Sequence, residues 1–100
     1  MQQPDVRLNG VFLEVGDKRI RIRRLQAMIL EELLDHLGRC VRKSAIYEAV
    51  YASDPNGGPS SGVIEVMISQ LRSLFRKHDL DLAIVTHHGI GWELRRCPGS

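Results

Sequence analysis

No apolar run in the chain approaches the ~20 residues needed to cross a bilayer as a helix. The opening Met1-Gln2-Gln3-Pro4-Asp5 has no basic stretch leading into an apolar one. Neither a membrane span nor a secretory leader is expected, and a cytoplasmic location is. Cysteine is scarce: Cys40 and Cys97 lie far apart and make no framework. Thiols in a reducing compartment are expected, with a single bridge left open. Charge of one sign is not in excess either. Fourteen basic against twelve acidic residues give a net charge of +2, which excludes a histone-like chain and predicts no partner by itself. Also missing are a Gly-rich phosphate loop, paired carboxylates and a nucleophile motif, so no enzyme, cofactor or small-molecule substrate is expected. Cys40 is expected as a core thiol. His87 and His88 are adjacent on an extended segment, point to opposite faces and have no Cys or acid cluster beside them, so no metal site is expected.

What is present is an ordinary globular balance, 43% hydrophobic and 26% charged over 100 residues, expected as one domain spanning 1–100. The charges are clustered. Lys18, Arg19, Arg21, Arg23 and Arg24 fall within seven residues, followed by Arg39, Arg42 and Lys43, then Arg72, Arg76 and Lys77. A near-neutral chain with such clusters can still present one positive face. On charge alone, solvated faces of ordinary elements explain the clusters as well as a binding surface does.

The hydropathy pattern predicts an α+β domain. Residues 6–22 read as a small antiparallel sheet: Val6-Arg7-Leu8, an Asn9-Gly10 turn, alternation around Leu13 and Val15, a Gly16-Asp17 turn, then Ile20 and Ile22 opposite Arg19 and Arg21. A three-helix core follows over 24–78. Leu25, Ile29, Leu33 and Leu37 mark the first helix and Gly38 its stop. Val41 reads as briefly extended before a second helix over about 43–51, with Ile46 and Val50 inward. The Gly-, Pro- and Ser-rich residues 53–62 are a loop by composition. A third helix over 63–78 puts Ile64, Ile68, Leu71 and Phe75 on one stripe and Val66, Ser69, Gln70, Ser73 and Lys77 opposite. Gly62 with Glu65 suggests a capping box. Residues 83–94 read as a hairpin with His87-His88-Gly89-Ile90 at its tip, Trp92 in the core beneath it, Gly89 and Gly91 serving turn geometry, and 95–100 a tail. Sheet, three helices and C-terminal β-hairpin wing, in that order, describe a winged helix-turn-helix.

Three segments carry a resemblance to a known family. Ile84-Val85-Thr86-His87-His88-Gly89-Ile90-Gly91-Trp92-Glu93-Leu94 is similar to the closing pattern I-x-T-V-R-G-x-G-Y-x-L of OmpR/PhoB-type effector domains. Ile64-Glu65-Val66-Met67-Ile68-Ser69-Gln70-Leu71-Arg72 resembles their V-D-V-H-I-x-x-L-R. The stretch from Gly38-Arg39-Cys40-Val41 through Ile46 to Val50-Tyr51 resembles G-x-V-V…L…V-W. These regulators normally carry a receiver domain with a phosphorylatable Asp. Here the chain enters the effector sheet directly, so a standalone winged helix, not switched by receiver phosphorylation, is expected rather than an excised domain.

The resemblance implies a bacterial DNA-binding transcription regulator with double-stranded DNA as partner. Its third helix would enter the major groove and its wing the adjacent minor groove, and it would act as a homodimer or tandem pair on half-sites about one helical turn apart. Carried over by position, Val63, Val66, Ser69, Gln70 and Ser73 face bases, with Lys77 on the same side. Gln70 could read adenine through two hydrogen bonds, and the valines could pack on thymine methyls. Arg42, Lys43, Tyr51 and Arg72 become backbone contacts, and Thr86, His87 and His88 the wing contacts. A histidine on the wing, once protonated, would strengthen DNA binding. Ser69 and Gln70 stand where the family often has arginines, His88 where it has a wing arginine, Met67 where it has a phosphate-facing histidine and Arg42 where a capping Ser or Thr is usual. Modest unaided affinity follows. The alternative is an adaptor that binds RNA polymerase or another regulator through Asp54 and Asn56 of the 52–62 loop and an apolar surface including Met67 and Leu74.

Overall fold

Alternating apolar residues build the first sheet. In the computed structural model, which describes residues 6–52 and 61–96, β1 (Val6–Asn9), β2 (Phe12–Val15) and β3 (Lys18–Arg21) pair antiparallel in that order. Leu13 sits opposite Ile20 in register, and both are buried. The period of two then sends Arg19 and Arg21 outward, and the Arg19 guanidinium lies 4.1 Å from the Phe12 ring centroid.

The helices follow: α1 (Arg24–Asp35), α2 (Lys43–Ala52) and α3 (Ser61–Lys77), with β4 (Cys40–Arg42) between the first two. Ile29, Leu30 and Leu33 of α1, Ile46 and Val50 of α2, and Ile64, Ile68, Leu71 and Phe75 of α3 make one continuous core with Leu13 and Leu94. Full burial of each large aliphatic side chain contributes about 1.5–3 kcal/mol. The stripe on α3 therefore sets which way this 17-residue helix faces, with its opposite face left polar. The C-terminal end of α3 closes with paired backbone bonds, Leu80 N–H to Phe75 O at 2.8 Å and Asp79 N–H to Arg76 O at 3.1 Å, around Asp79 at φ 52°. This is the Schellman arrangement. Lys18 reaches across from the first sheet, donating from Nζ to the carbonyls of His78 at 2.6 Å and Asp79 at 3.3 Å. A cation there also meets the negative end of the helix dipole.

The wing is larger than a hairpin. β5 (Leu82–His87) and β6 (Gly91–Arg96) pair antiparallel, and β4 joins the far side of β6, giving the order β4-β6-β5. Four expectations need correction. Arg95 and Arg96 belong to β6, opposite Ala83 and Leu82, because the ladder continues past Leu94 instead of fraying. Cys40 is exposed, since alternation along β4 turns Val41 inward and both its neighbours outward. Gly62 lies inside α3, which begins at Ser61, so it cannot cap the helix with Glu65. Gly91 is required by close approach, not by a turn: a Cβ there would lie 1.9 Å from the Val41 carbonyl oxygen. The expected loop at 53–60, Cys97 and the tail beyond residue 96 lie outside the described residues. Among the described residues no helix is long and apolar enough to cross a membrane.

Substituting Gly91→Ala forces β4 away from β6, an overpacking strain of about 3 kcal/mol. Chemical denaturation should show that loss, whereas Gly62→Ala, with open space around it, should not destabilise the fold.

Candidate nucleic-acid interface

The exposed face of α3 follows from the stripe that is buried. With Ile64, Ile68, Leu71 and Phe75 inward, 3.6-residue periodicity turns Val66, Ser69, Gln70, Ser73 and Lys77 outward, and all five are exposed. Val66 is half exposed at 51%, an apolar spot in a polar row. Val63, Met67 and Leu74 fall on the flank of the helix and are half-buried, and Met67 and Leu74 pack against the core. The apolar surface expected for an adaptor is therefore mostly core packing. Asp54 and Asn56, the other residues of that expectation, lie outside the described residues.

Arg72 and Thr86, expected to contact DNA, are engaged with each other. The Arg72 guanidinium donates from Nε to the Ile84 carbonyl at 2.9 Å and from its terminal nitrogen to Thr86 Oγ1. This fastens the side of α3 to β5. The opposite side of α3 is held by Gln70, whose Oε1 accepts from Gln26 Nε2 at 2.8 Å. Gln26 is 5% exposed and sits at the third position of α1, where its Oε1 also accepts the Arg23 backbone N–H at 2.9 Å. That bond is the return half of a capping box. Sequence reading passed over Gln26. The available signal was a polar residue on the inward stripe, three and four positions before Ile29 and Leu30.

The N-terminal end of α2 and the wing tip meet. Lys43 N–H donates to the Ile90 carbonyl at 3.0 Å, and Arg42, Lys43, Ser44, Gly89 and Ile90 line one open cleft. Two cations and a helix N-terminus around one cleft suit a phosphate oxygen. Ile90, 56% exposed, forms the apolar tip beside the exposed His88, and it too was absent from the expected site. Tyr51, 37% exposed, stacks on Tyr47 with centroids 6.0 Å apart. Burial, with Glu65 and Tyr51 nearby, pushes the Tyr47 hydroxyl pKa up.

His87 leaves the tip and turns to the wing's own carboxylate. Its Nε2 lies 2.8 Å from Glu93 Oε1, while Arg95 Nε donates to Glu93 Oε2 at 2.7 Å. Glu93 is 7% exposed, and the Arg95 hydrogen bond, then that of His87, holds its carboxyl below the ordinary value. His87 is the last residue of β5 and lies in its ladder opposite Gly91, whereas His88 already belongs to the exposed turn.

A helix with a buried stripe and a polar outer row, a second helix packed before it and a three-stranded wing define the winged helix-turn-helix class. The family described as "Transcriptional regulatory protein, C terminal" matches residues 17–94, and the chain belongs to it. It is a DNA-binding domain of the transcription-regulator type. Its fold is similar to that of the C-terminal domain of the nisin resistance regulator NsrR, a lantibiotic response regulator (TM-score 0.76, 23% identity, 94% of each chain covered). It is likewise similar to the DNA-binding domain of E. coli CadC (TM-score 0.67, 21% identity, 98% of this chain and 96% of that one). No curated protein sequence matches the chain significantly.

Two measurements separate residues that anchor α3 from residues exposed on it. Arg72→Met should lower unfolding free energy by about 2 kcal/mol through its lost charged hydrogen bonds, yet leave the salt slope of DNA binding unchanged. Lys77→Met should do the reverse, reducing that slope by about 0.9. Because the folded Glu93 carboxyl titrates below its unfolded value of about 4.3, its stabilisation is complete above that value and lost as pH falls through the lower folded one. Thermal melts of Glu93→Gln against pH should therefore show a flattened acid limb and no such carboxylate-dependent loss.

Proposed function

We propose that α3 enters the major groove of double-stranded DNA, that the wing tip at His88 and Ile90 reaches the adjacent minor groove, and that Arg42 and Lys43 hold the intervening phosphates. The reading is carried by one observation: the outward row Val66, Ser69, Ser73 and Lys77 is exposed along a helix that Arg72 fastens on one flank and Gln70 on the other. A major groove about 12 Å wide accepts one such helix, and donors, acceptors and a small apolar side chain suit its edges. Arg72, Thr86 and His87 support that surface from behind, through bonds within the protein. With one lysine and no arginine in the row, unaided affinity is modest, and pairing on adjacent half-sites or a contact to RNA polymerase through residues 52–62 raises occupancy. The protein acts in the bacterial cytoplasm, on the nucleoid when bound.

Fluorescence anisotropy on duplexes selected from a random pool tests this. Binding should weaken steeply between 50 and 200 mM salt, as phosphate neutralisation requires, by about tenfold or more for a few contacts. Ser73→Glu with Lys77→Glu should abolish it while leaving the thermal melt intact. Salt-independent binding, or full binding by the double variant, overturns the groove assignment.

A further inference from the structure

We infer that Gln26, a buried residue of α1, is the positioning residue that sets which bases Gln70 accepts, making Gln70 a hydrogen-bond donor to the groove and not a two-handed reader of adenine. The inference rests on the DNA-binding reading above and goes past it to the specificity of one position.

The argument is a chain of donors and acceptors. The Arg23 backbone N–H can only donate, so the Gln26 atom 2.9 Å from it must be the amide oxygen. That orientation leaves the Gln26 NH2 pointing at Gln70, 2.8 Å away. An NH2 group can only donate, so Gln70 must answer with its oxygen. A glutamine free on a helix surface exchanges its two amide ends by a half-turn of its last torsion, which is broad and roughly two-fold. Here the half-turn would set two NH2 groups against each other, and the partner is 5% exposed, with little water to relieve the clash. The backbone N–H that starts α1 thus dictates, through two side chains, the polarity of one position on α3.

With Oε1 held against α1, Nε2 is the end left to face a base. In the major groove a donor is satisfied by guanine N7 or O6, by thymine O4 or by adenine N7. It is rejected by cytosine, which offers an N4 donor. Adenine loses the two-bond pairing that a free glutamine would make.

In-vitro selection from a random duplex pool, run with the wild-type domain, Gln70→Ala, Gln26→Glu and Gln26→Met, tests the inference. Gln70→Ala identifies the base pair that Gln70 reads by erasing its preference. At that pair the wild type should disfavour by about fivefold the orientation that sets cytosine against Gln70, the worth of roughly one net hydrogen bond. A carboxylate at position 26 offers acceptors to both Arg23 N–H and the Gln70 NH2. Gln26→Glu should therefore reverse the Gln70 amide and move the preference to adenine or cytosine, whose exocyclic amines donate. Gln26→Met, close in shape but without polar atoms, should broaden the preference while other positions keep theirs. Melting curves establish that each variant is folded, and if Gln26→Glu is not, Gln26→Met carries the test. An unchanged motif in folded Gln26 variants overturns the inference, as does no change with Gln70→Ala. If the wild type enriches no motif at all, the base-reading function falls and this inference with it, an outcome distinct from a motif that ignores Gln26.

Discussion

Burial of the Ile64, Ile68, Leu71 and Phe75 stripe is the constraint from which the rest of the molecule follows. A 17-residue helix with one apolar stripe has one way to lie on a core, and that placement selects which residues look outward. The hydrophobic term orients the helix but does not hold it in rotation, because apolar contact is non-directional. Directional bonds do that. Arg72 fastens one flank to β5, Gln26 meets Gln70 on the other, and Lys18 grips the C-terminal carbonyls. Each comes from a different element, so the helix is held by α1, the first sheet and the wing together.

The wing follows a similar division. Pairing of β4 with β6 needs a backbone approach that only Gly91 permits, and it brings the start of α2 against the turn at Ile90. The cationic end of α2 and the wing tip thus form one surface, although more than forty residues separate them in the chain. Inside the wing, Glu93 collects His87 and Arg95. The hairpin's charge is satisfied internally, and the tip is left to His88 and Ile90.

Much of this was legible from periodicity. Alternation in the first sheet, the inward stripes of the helices and the strand character of residues 83–94 all came from local pattern, because a residue's side of an element is set by its position within it. Element ends were less legible. β6 runs on through Arg95 and Arg96 because β5 supplies partners for them, which no local pattern records. The site was legible as a face and not as roles. Ser69, Ser73, Val66 and Lys77 are outward, as their spacing requires. Arg72, Thr86 and His87 are turned to partners 14, 14 and 6 residues away, and Met67 and Leu74 are drawn into the core's flank.

The alternation of the first sheet, the three apolar stripes and the C-terminal hairpin, in that order, were enough to determine a small winged-helix domain and the outward face of its third helix, since period and element order are properties of the chain itself. Which polar side chains on that face are available was decided only by the tertiary fold. A hydrogen bond needs its partner within about 3 Å and correctly aimed, and Gln26 reaches Gln70, Thr86 reaches Arg72 and Glu93 reaches His87 only after the core has brought their elements together.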